Sequence, residues 1–443
     1  MGHHGQAGLR PVTHRSVLAI AAPMTLAHLT TPLLGLVATT VVGRLGDAAA
    51  LGGVALGAVV FDFLFWGFGF LRMGTVGLVA QALGRRDGIE QKAVLARAVL
   101  LAVACGLVLV LLQKPIGYLA LKMAGASPAV DTALATYYGV RIWAAPMSLA
   151  NYALLGWLTG LGRTGHALVL QAGINGLNIV LCALLVLWFD EGVAGAAEAA
   201  VWAEGVGMLA GLLLCARLIG FRFEVPRSVV LERARMMEMM ALNRDILIRS
   251  AALLGGLAFF AAQGARMGDT TLAANALLNT MSMLTVYFLD GFATAAEQLC
   301  GAAAGARDRT TFSAALRLVF LWGYGFALAA AGLLFGSGPW VLQLMSTNAE
   351  VVAEAIAYLP FAALVPLAGV AAYAYDGIYV GAMWSRDMRN LMLASLAVYL
   401  LAWFVLRPFG NAGLWMALLV FLMARGGFQA LRLPALVRRT FPA

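Results

Sequence analysis

Long apolar runs separated by short polar punctuation dominate the chain, and their borders predict twelve helical spans. These lie near residues 16–43, 51–82, 94–113, 131–160, 166–188, 193–216, 245–264, 271–302, 312–335, 351–382, 390–406 and 412–431. A helix needs about 17–25 such residues to cross a hydrocarbon core, so each run is a membrane span. The longest polar interruption, 217–244, carries six arginines and predicts an amphipathic cytoplasmic connector. The expected fold is an all-α polytopic membrane protein with twelve transmembrane helices in two pseudo-symmetric six-helix bundles. Its expected domains are residues 1–216, the connector 217–244, and residues 245–443.

Composition agrees with this pattern and narrows the function. Of 443 residues, 62% are hydrophobic and 12% charged, with a mean hydropathy of +0.87. A soluble domain carries about a quarter charged residues, so this surface suits lipid and leaves no room for a soluble catalytic module. The net charge of +9 gathers in short clusters between apolar runs rather than on one face. That distribution reports membrane topology and predicts no nucleic-acid partner. Arg10, Arg15, Arg85, Arg86, Lys92, the connector arginines, Arg307, Arg309, Arg438 and Arg439 fall on one side of the predicted membrane. Only Arg44, Lys114, Lys122, Arg266 and Arg407 fall on the other, which places both termini in the cytoplasm of a cell (inner) membrane protein. The first polar residues run into an apolar stretch without a small-residue cleavage site, so no removable signal is expected. Cys105, Cys182, Cys215 and Cys300 show no disulfide or zinc spacing, and neither metal nor cofactor is expected.

The two halves repeat one another. Tyr152-Ala-Leu-Leu-Gly156-Trp-Leu-Thr-Gly160 aligns with Tyr373-Ala-Tyr-Asp-Gly377-Ile-Tyr-Val-Gly381 at an offset of 221 residues. Gly84-Arg-Arg-Asp87 aligns with Gly305-Ala-Arg-Asp308 at the same offset, and Arg44-Leu-Gly-Asp47 with Arg266-Met-Gly-Asp269 one residue away from it. Six helices per copy start both copies on the same side of the membrane. The halves should therefore be related by a pseudo-twofold axis along the membrane normal, an arrangement suited to alternating access.

Several segments carry a family resemblance. Pro32 to Gly46, Ala80-Gln-Ala-Leu-Gly84, Leu242-Asn-Arg-Asp-Ile-Leu-Ile-Arg249-Ser, Leu289-Asp290-Gly-Phe-Ala293 and Asp376 to Gly381 resemble the multidrug and toxic compound extrusion (MATE) family. Within it, the DNA-damage-inducible (DinF-like) branch is most similar. The resemblance implies two bundles around a cleft and export of cationic or amphipathic compounds in exchange for H⁺ or Na⁺. It also implies an aspartate in the first helix, where this chain has Ala38, and an acid one turn after Asn178, where it has Cys182. Neither a methyl nor a thiol can supply the coupling charge, so the family's usual N-terminal coupling route is not carried over to this chain, and altered coupling is expected.

Acids inside spans are candidates for that work, because a charge at bilayer depth is costly unless it faces water or a partner. Asp290 and Glu297 lie nearly on one helical face, and Asp376 is surrounded by Tyr373, Tyr375 and Tyr379. The expected site brings these three carboxyls together, held by tyrosine hydroxyls and lined by aromatics that suit an organic cation. Asp62 is the candidate replacement carrier in the N-terminal half, and Glu204 a further coupling residue. The alternative for Asp376 is a structural pair with Arg249 or Arg72, and Asp245 and Arg249, one turn apart, satisfy each other on spacing alone. Asn178, Asn151, Tyr373, Tyr379 and His28 are substrate-contact candidates, and Pro23 and Pro32 a hinge pair in the first helix. A monomer handling small organic cations or amphipathic compounds is expected.

Two other readings compete. A lipid-linked precursor flippase of related architecture needs several basic residues in its cavity, whereas the intramembrane ionisable groups read as mainly acidic. An intramembrane lipid-modifying enzyme needs clustered aspartates or an HExxH helix, and the sequence has neither.

Overall fold

The computed structural model describes residues 11–442, with the side chains of Thr31, Pro32, Leu33 and Leu36 outside the described set. The described residues form helices α1 (His14–Gly43), α2 (Ala48–Gly67), α3 (Phe70–Gly84), α4 (Gly88–Leu111), α5 (Gln113–Ala124), α6 (Pro128–Arg141), α7 (Ala145–Gly160), α8 (Thr164–Ala183) and α9 (Gly192–Leu218). They continue as α10 (Arg227–Val230), α11 (Arg233–Arg266), α12 (Asp269–Gly305), α13 (Arg309–Met345), α14 (Ala349–Gly381), α15 (Ser385–Leu406) and α16 (Gly410–Thr440). No strand occurs among the described residues.

Nine stretches among the described residues are long and apolar enough to cross a membrane. The last, Ser385–Thr440, contains two helices, α15 and α16, parted by a 3₁₀ turn and by Gly410 at φ +57°. With α1 and the α6–α7 pair, the described residues give the twelve helical columns that hydropathy predicts. Two elements lie outside that expectation. Helix α5 occupies the stretch read as a loop after the third span, and the connector's second half is the first part of α11 rather than a separate segment.

The chain divides into two compact units. The N-terminal unit comprises Leu26–Val79 and Asp87–Met240, and so includes most of the connector. The C-terminal unit comprises Ala241–Ala443 together with Ala80–Arg86 and the start of α1 up to Thr25. Inside the C-terminal unit, Phe260 and Trp415 meet edge to face at 4.9 Å, while Tyr399 stacks on Phe421 at 5.2 Å.

The sequence repeat has a structural meaning in each half of the chain. Helix α3 ends at Gly84, Arg86 turns at φ 57°, and the Asp87 carboxylate accepts the Glu90 N–H at 2.9 Å to start α4. Helix α12 ends at Gly305, Arg307 turns at φ 56°, and Asp308 accepts the Thr311 N–H at 2.9 Å to start α13. An aspartate satisfies the orphan donors of a first helical turn, so the duplicated motif builds one turn twice.

The duplicated glycines let backbones touch. A Cβ on Gly156 would lie 2.6 Å from the Arg72 carbonyl oxygen, and one on Gly160 would lie 2.8 Å from that of Val76. At the equivalent places Gly377 and Gly381 meet the carbonyl oxygens of Ala293 and Glu297. Small residues allow this approach where lipid gives helices no hydrophobic drive to associate. Gly377→Val is expected to cost about 1–3 kcal/mol through overpacking. Gly325→Val, in open space, should leave thermal stability in detergent near the parental value.

Candidate functional site

In the C-terminal unit three helices converge on one carboxylate. Asp376 on α14 is 3% exposed, and Arg249 from α11 and Arg425 from α16 both donate to its Oδ2, the latter at 2.7 Å. Gln429, one turn beyond Arg425, donates from Nε2 to Oδ1 at 2.7 Å. Arg425 is 1% exposed, and its guanidinium lies 5.6 Å from the ring centres of both Tyr373 and Phe421. The arrangement is a buried carboxylate clamped by two fixed cations that cannot deprotonate.

This changes the sequence expectation in three respects. Asp376 is held by arginines and an amide rather than by tyrosine hydroxyls, while Asp290 (half-buried) and Glu297 (buried) stand on α12. Tyr379 is buried and gives its hydroxyl to the Gln429 carbonyl at 2.7 Å. Asp245 does not pair with Arg249; it accepts from Arg389 Nη1 at 2.6 Å, Ser385 Oγ at 3.2 Å and Arg244 Nη2 at 3.2 Å. The expected alternative of an Asp376–Arg249 pair is what the fold builds, with Arg425 added. Tyr373 stands within electrostatic reach of Arg425, Asp290, Arg249 and Asp376.

The N-terminal unit holds a second cluster. Asn151 on α7 donates from Nδ2 to Glu204 Oε2 at 2.7 Å and to the Glu204 backbone oxygen at 3.0 Å. Arg141 at the end of α6 lies 3.9 Å from Glu204 Oε1 and stacks over Phe61 and Phe65, at 5.7 and 5.5 Å from their ring centres. Asp62 on α2 is exposed and lies within electrostatic reach of Arg141, so it is not the solitary acid that its sequence neighbours suggest. His28 Nε2 lies 3.3 Å from Arg72 Nη1. Asn178 and Cys182 are buried on α8, and Ala38 is half-buried on α1. Pro23 is half-buried in α1, which the structure keeps as one helix, and the Pro32 side chain lies outside the described residues.

Arg425, Gln429 and Arg141 are the members that the sequence reading passed over. A signal existed for the first two: an arginine and a glutamine four residues apart in an otherwise apolar run share one helical face. The 221-residue offset also relates Tyr152 to Tyr373 and Glu204 to Arg425. Equivalent positions therefore carry different charges in the two units. The intramembrane ionisable groups are also not mainly acidic, since an arginine sits in each cluster.

The MatE family model matches residues 23–184 and 251–405. The chain is 38% identical over 423 residues to DNA damage-inducible protein F of Escherichia coli K12, covering 95% of this chain and 91% of that protein. It is 23% identical over 183 residues to the multidrug export protein MepA of Staphylococcus aureus, covering 41% of each chain. Among solved structures, a MATE crystal structure in the bent conformation superposes with a TM-score of 0.86 at 19% identity, covering 96% of both chains.

Proposed function

The chain belongs to the MatE family of multidrug and toxic compound extrusion transporters, and from that premise we propose that it is a secondary active exporter of cationic or amphipathic organic compounds. It works as a monomer in the inner membrane, with both termini cytoplasmic, and its two units alternate access to the substrate. As a member of a transporter family it is not an enzyme. The observation that carries the reading is a cluster of ionisable and amide side chains inside the membrane-spanning helices of each unit, Asp376–Arg249–Arg425–Gln429, all buried, in one and Glu204–Asn151–Arg141, with Glu204 half-buried, in the other. Such charges are too costly at that depth to be retained for packing alone.

H⁺ is the better supported coupling ion. A hard cation such as Na⁺ is held by oxygen ligands, as the alkaline-earth cations are, whereas the groups closing on Asp376 present N–H. The proton carriers are Asp290 and Glu297 in the C-terminal unit and Asp62 with Glu204 in the N-terminal unit, where Ala38 and Cys182 supply none. Asp376 takes part through rearrangement of its ion pairs. Asn151, Asn178, Tyr373 and His28 contact the substrate.

The test is ethidium efflux by everted vesicles under an imposed pH or Na⁺ gradient. Efflux driven by pH, reduced at least about tenfold in Asp290→Asn and Asp62→Asn, supports the reading; this corresponds to about 1.4 kcal/mol of lost coupling. Parental rates in both variants would remove these two acids from the coupling path, and absence of any gradient-driven efflux would reject the exporter reading. A lipid-linked precursor flippase is the second reading, favoured by the buried arginines in both clusters; it predicts scrambling of a phosphorylated lipid in proteoliposomes without ethidium efflux.

A further inference from the structure

At one end of the C-terminal unit α11 finishes with Arg266, α15 finishes at Leu406 just before Arg407, and α16 begins at Gly410. A cavity of about 400 Å³ opens among these three helix ends, and both arginines line it together with Gln263, Trp403 and Phe404. Small-molecule sites run from about 300 to 1,000 Å³, so the space is large enough for a ligand group. Because membrane-spanning helices end here, the cavity stands at the depth of the lipid headgroups. Its walls are fixed from behind. Trp403 packs edge to face on Phe259 of α11 at 6.4 Å. Asn275 and Asn411 exchange amide hydrogen bonds of 2.8 and 3.0 Å next to Gly410, and a Cβ on Gly264 of α11 would lie 3.1 Å from Asn275 Nδ2.

The charge in the cavity is of one sign. No acid lines it, and among the described residues neither Arg266 nor Arg407 forms an ion pair. Asp269, three residues beyond Arg266, stands outside the lining. Two of the five basic residues on the sparsely charged side of the membrane therefore line one cavity. A cation in the last turn of a helix also complements the helix dipole. That explains neither the shared cavity nor the contrast with α13, which ends on the same side with no basic residue in its last turn. The repeat does not require the pair either. Arg44 takes the place of Arg266 in the N-terminal half, but the turn before Gly192 (φ 55°), which matches the turn before Gly410 (φ 57°), carries Asp190 and Glu191 instead of Arg407.

Beside the arginines the surface is made for lipid. Phe404 lines the cavity and is 77% exposed, and Leu393, Leu400 and Leu401 continue an exposed apolar strip along α15. A ligand that fills both regions has a compact anionic group and an apolar tail. We propose that this cavity seats the phosphate of an anionic phospholipid of the phosphatidylglycerol class, with Arg266 and Arg407 donating to the phosphate oxygens and one acyl chain lying on the α15 strip. Guanidinium forks match phosphate geometry, and basic pockets between membrane helices take anionic headgroups. Gln263 adds an amide for the glycerol hydroxyls, whereas the ammonium of a zwitterionic lipid meets only cations. Which leaflet supplies the lipid rests on the orientation proposed above; occupancy of the seat does not.

The experiment follows thermal unfolding of the full-length chain in dodecyl maltoside at constant ionic strength, with dioleoylphosphatidylglycerol, dioleoylphosphatidylcholine or sodium phosphate added. A saturable rise in unfolding temperature with phosphatidylglycerol is expected, at mole fractions where phosphatidylcholine has no effect. Arg266→Gln and Arg407→Gln should each weaken the apparent affinity at least about tenfold, the loss of one charge-assisted contact. Arg44→Gln removes the same charge from the same side outside the cavity and should leave the response unchanged. Equal responses to the two lipids, or a phosphatidylglycerol response that survives in the Arg266→Gln/Arg407→Gln double variant, would overturn the proposal. So would an equal loss in Arg44→Gln, which would mean attraction by overall charge. A response to sodium phosphate as strong as that to the lipid would make the cavity a free-phosphate site and reject the lipid. If the arginine variants do not fold, the comparison of the two lipids and phosphate on the unsubstituted protein decides.

Discussion

Asp376→Asn is expected to abolish gradient-driven efflux and to lower the stability of the C-terminal unit by about 3–5 kcal/mol, the range for removing one partner of a buried ion pair. The carboxylate is 3% exposed and is the shared acceptor of Arg249 and Arg425. Its neutral amide would leave both guanidiniums uncompensated and turn an N–H toward donors that need lone pairs. The effect should be visible as a fall in unfolding temperature in detergent. Combining Asp376→Asn with Arg249→Met removes one of the stranded charges and should recover part of the stability while efflux stays absent. If the single variant keeps both its unfolding temperature and its efflux, Asp376 is dispensable and the cluster is not the organising centre of this unit.

Arg97→Ala is expected to cost the N-terminal unit a similar amount, about 3–5 kcal/mol, by stranding the Glu90 carboxylate. Arg97 on α4 is 1% exposed and holds Glu90 through two parallel bonds of 2.9 Å. Its remaining donors reach the connector, with Nε on the Val230 carbonyl at 3.1 Å and Nη2 on that of Val229 at 3.3 Å. The side chain therefore ties α10 to α4, which gives the prediction a second readout. Trypsin should cut at the exposed Arg227 and Arg233 at least about tenfold faster in Arg97→Ala, as expected when local opening becomes easier by more than about 1.4 kcal/mol. The double variant Glu90→Leu with Arg97→Met replaces the pair by apolar groups and should regain much of the stability. It cannot regain the carbonyl bonds, so the connector should remain protease-sensitive. Unchanged cleavage in both variants would show that the connector is held by other contacts.

These two clusters also mark how far the sequence could be read. Hydropathy placed the helical columns because the cost of exposing a polar residue to lipid is paid residue by residue and leaves a one-dimensional trace. The repeat was equally legible: an aspartate three residues beyond a helix-ending glycine, and glycines four residues apart, keep the same turn and the same close approach in both halves. Helix α5 was missed because Gln113–Ala124 mixes two lysines into a short apolar run and reads as a loop. The acids themselves were found from the sequence alone, since a charge inside an apolar run is conspicuous.

What the sequence could not determine is which partner each acid takes. Spacing along a helix favours Asp245 with Arg249, four residues away, yet the fold gives Asp245 to Arg389 and Arg249 to Asp376. The pairs that form are separated by 144 and 127 residues. A one-turn pair on an exposed helix is worth only a few tenths of a kcal/mol, whereas in a low-dielectric interior each well-placed charge contact is far stronger. The geometry of helix packing therefore overrides neighbourhood in sequence. The chain by itself determined that this is a duplicated, twelve-column membrane protein with charges where the bilayer should forbid them. Only the tertiary structure decided that those charges are clamped by arginines from other helices, because that depends on where α11, α14 and α16 meet.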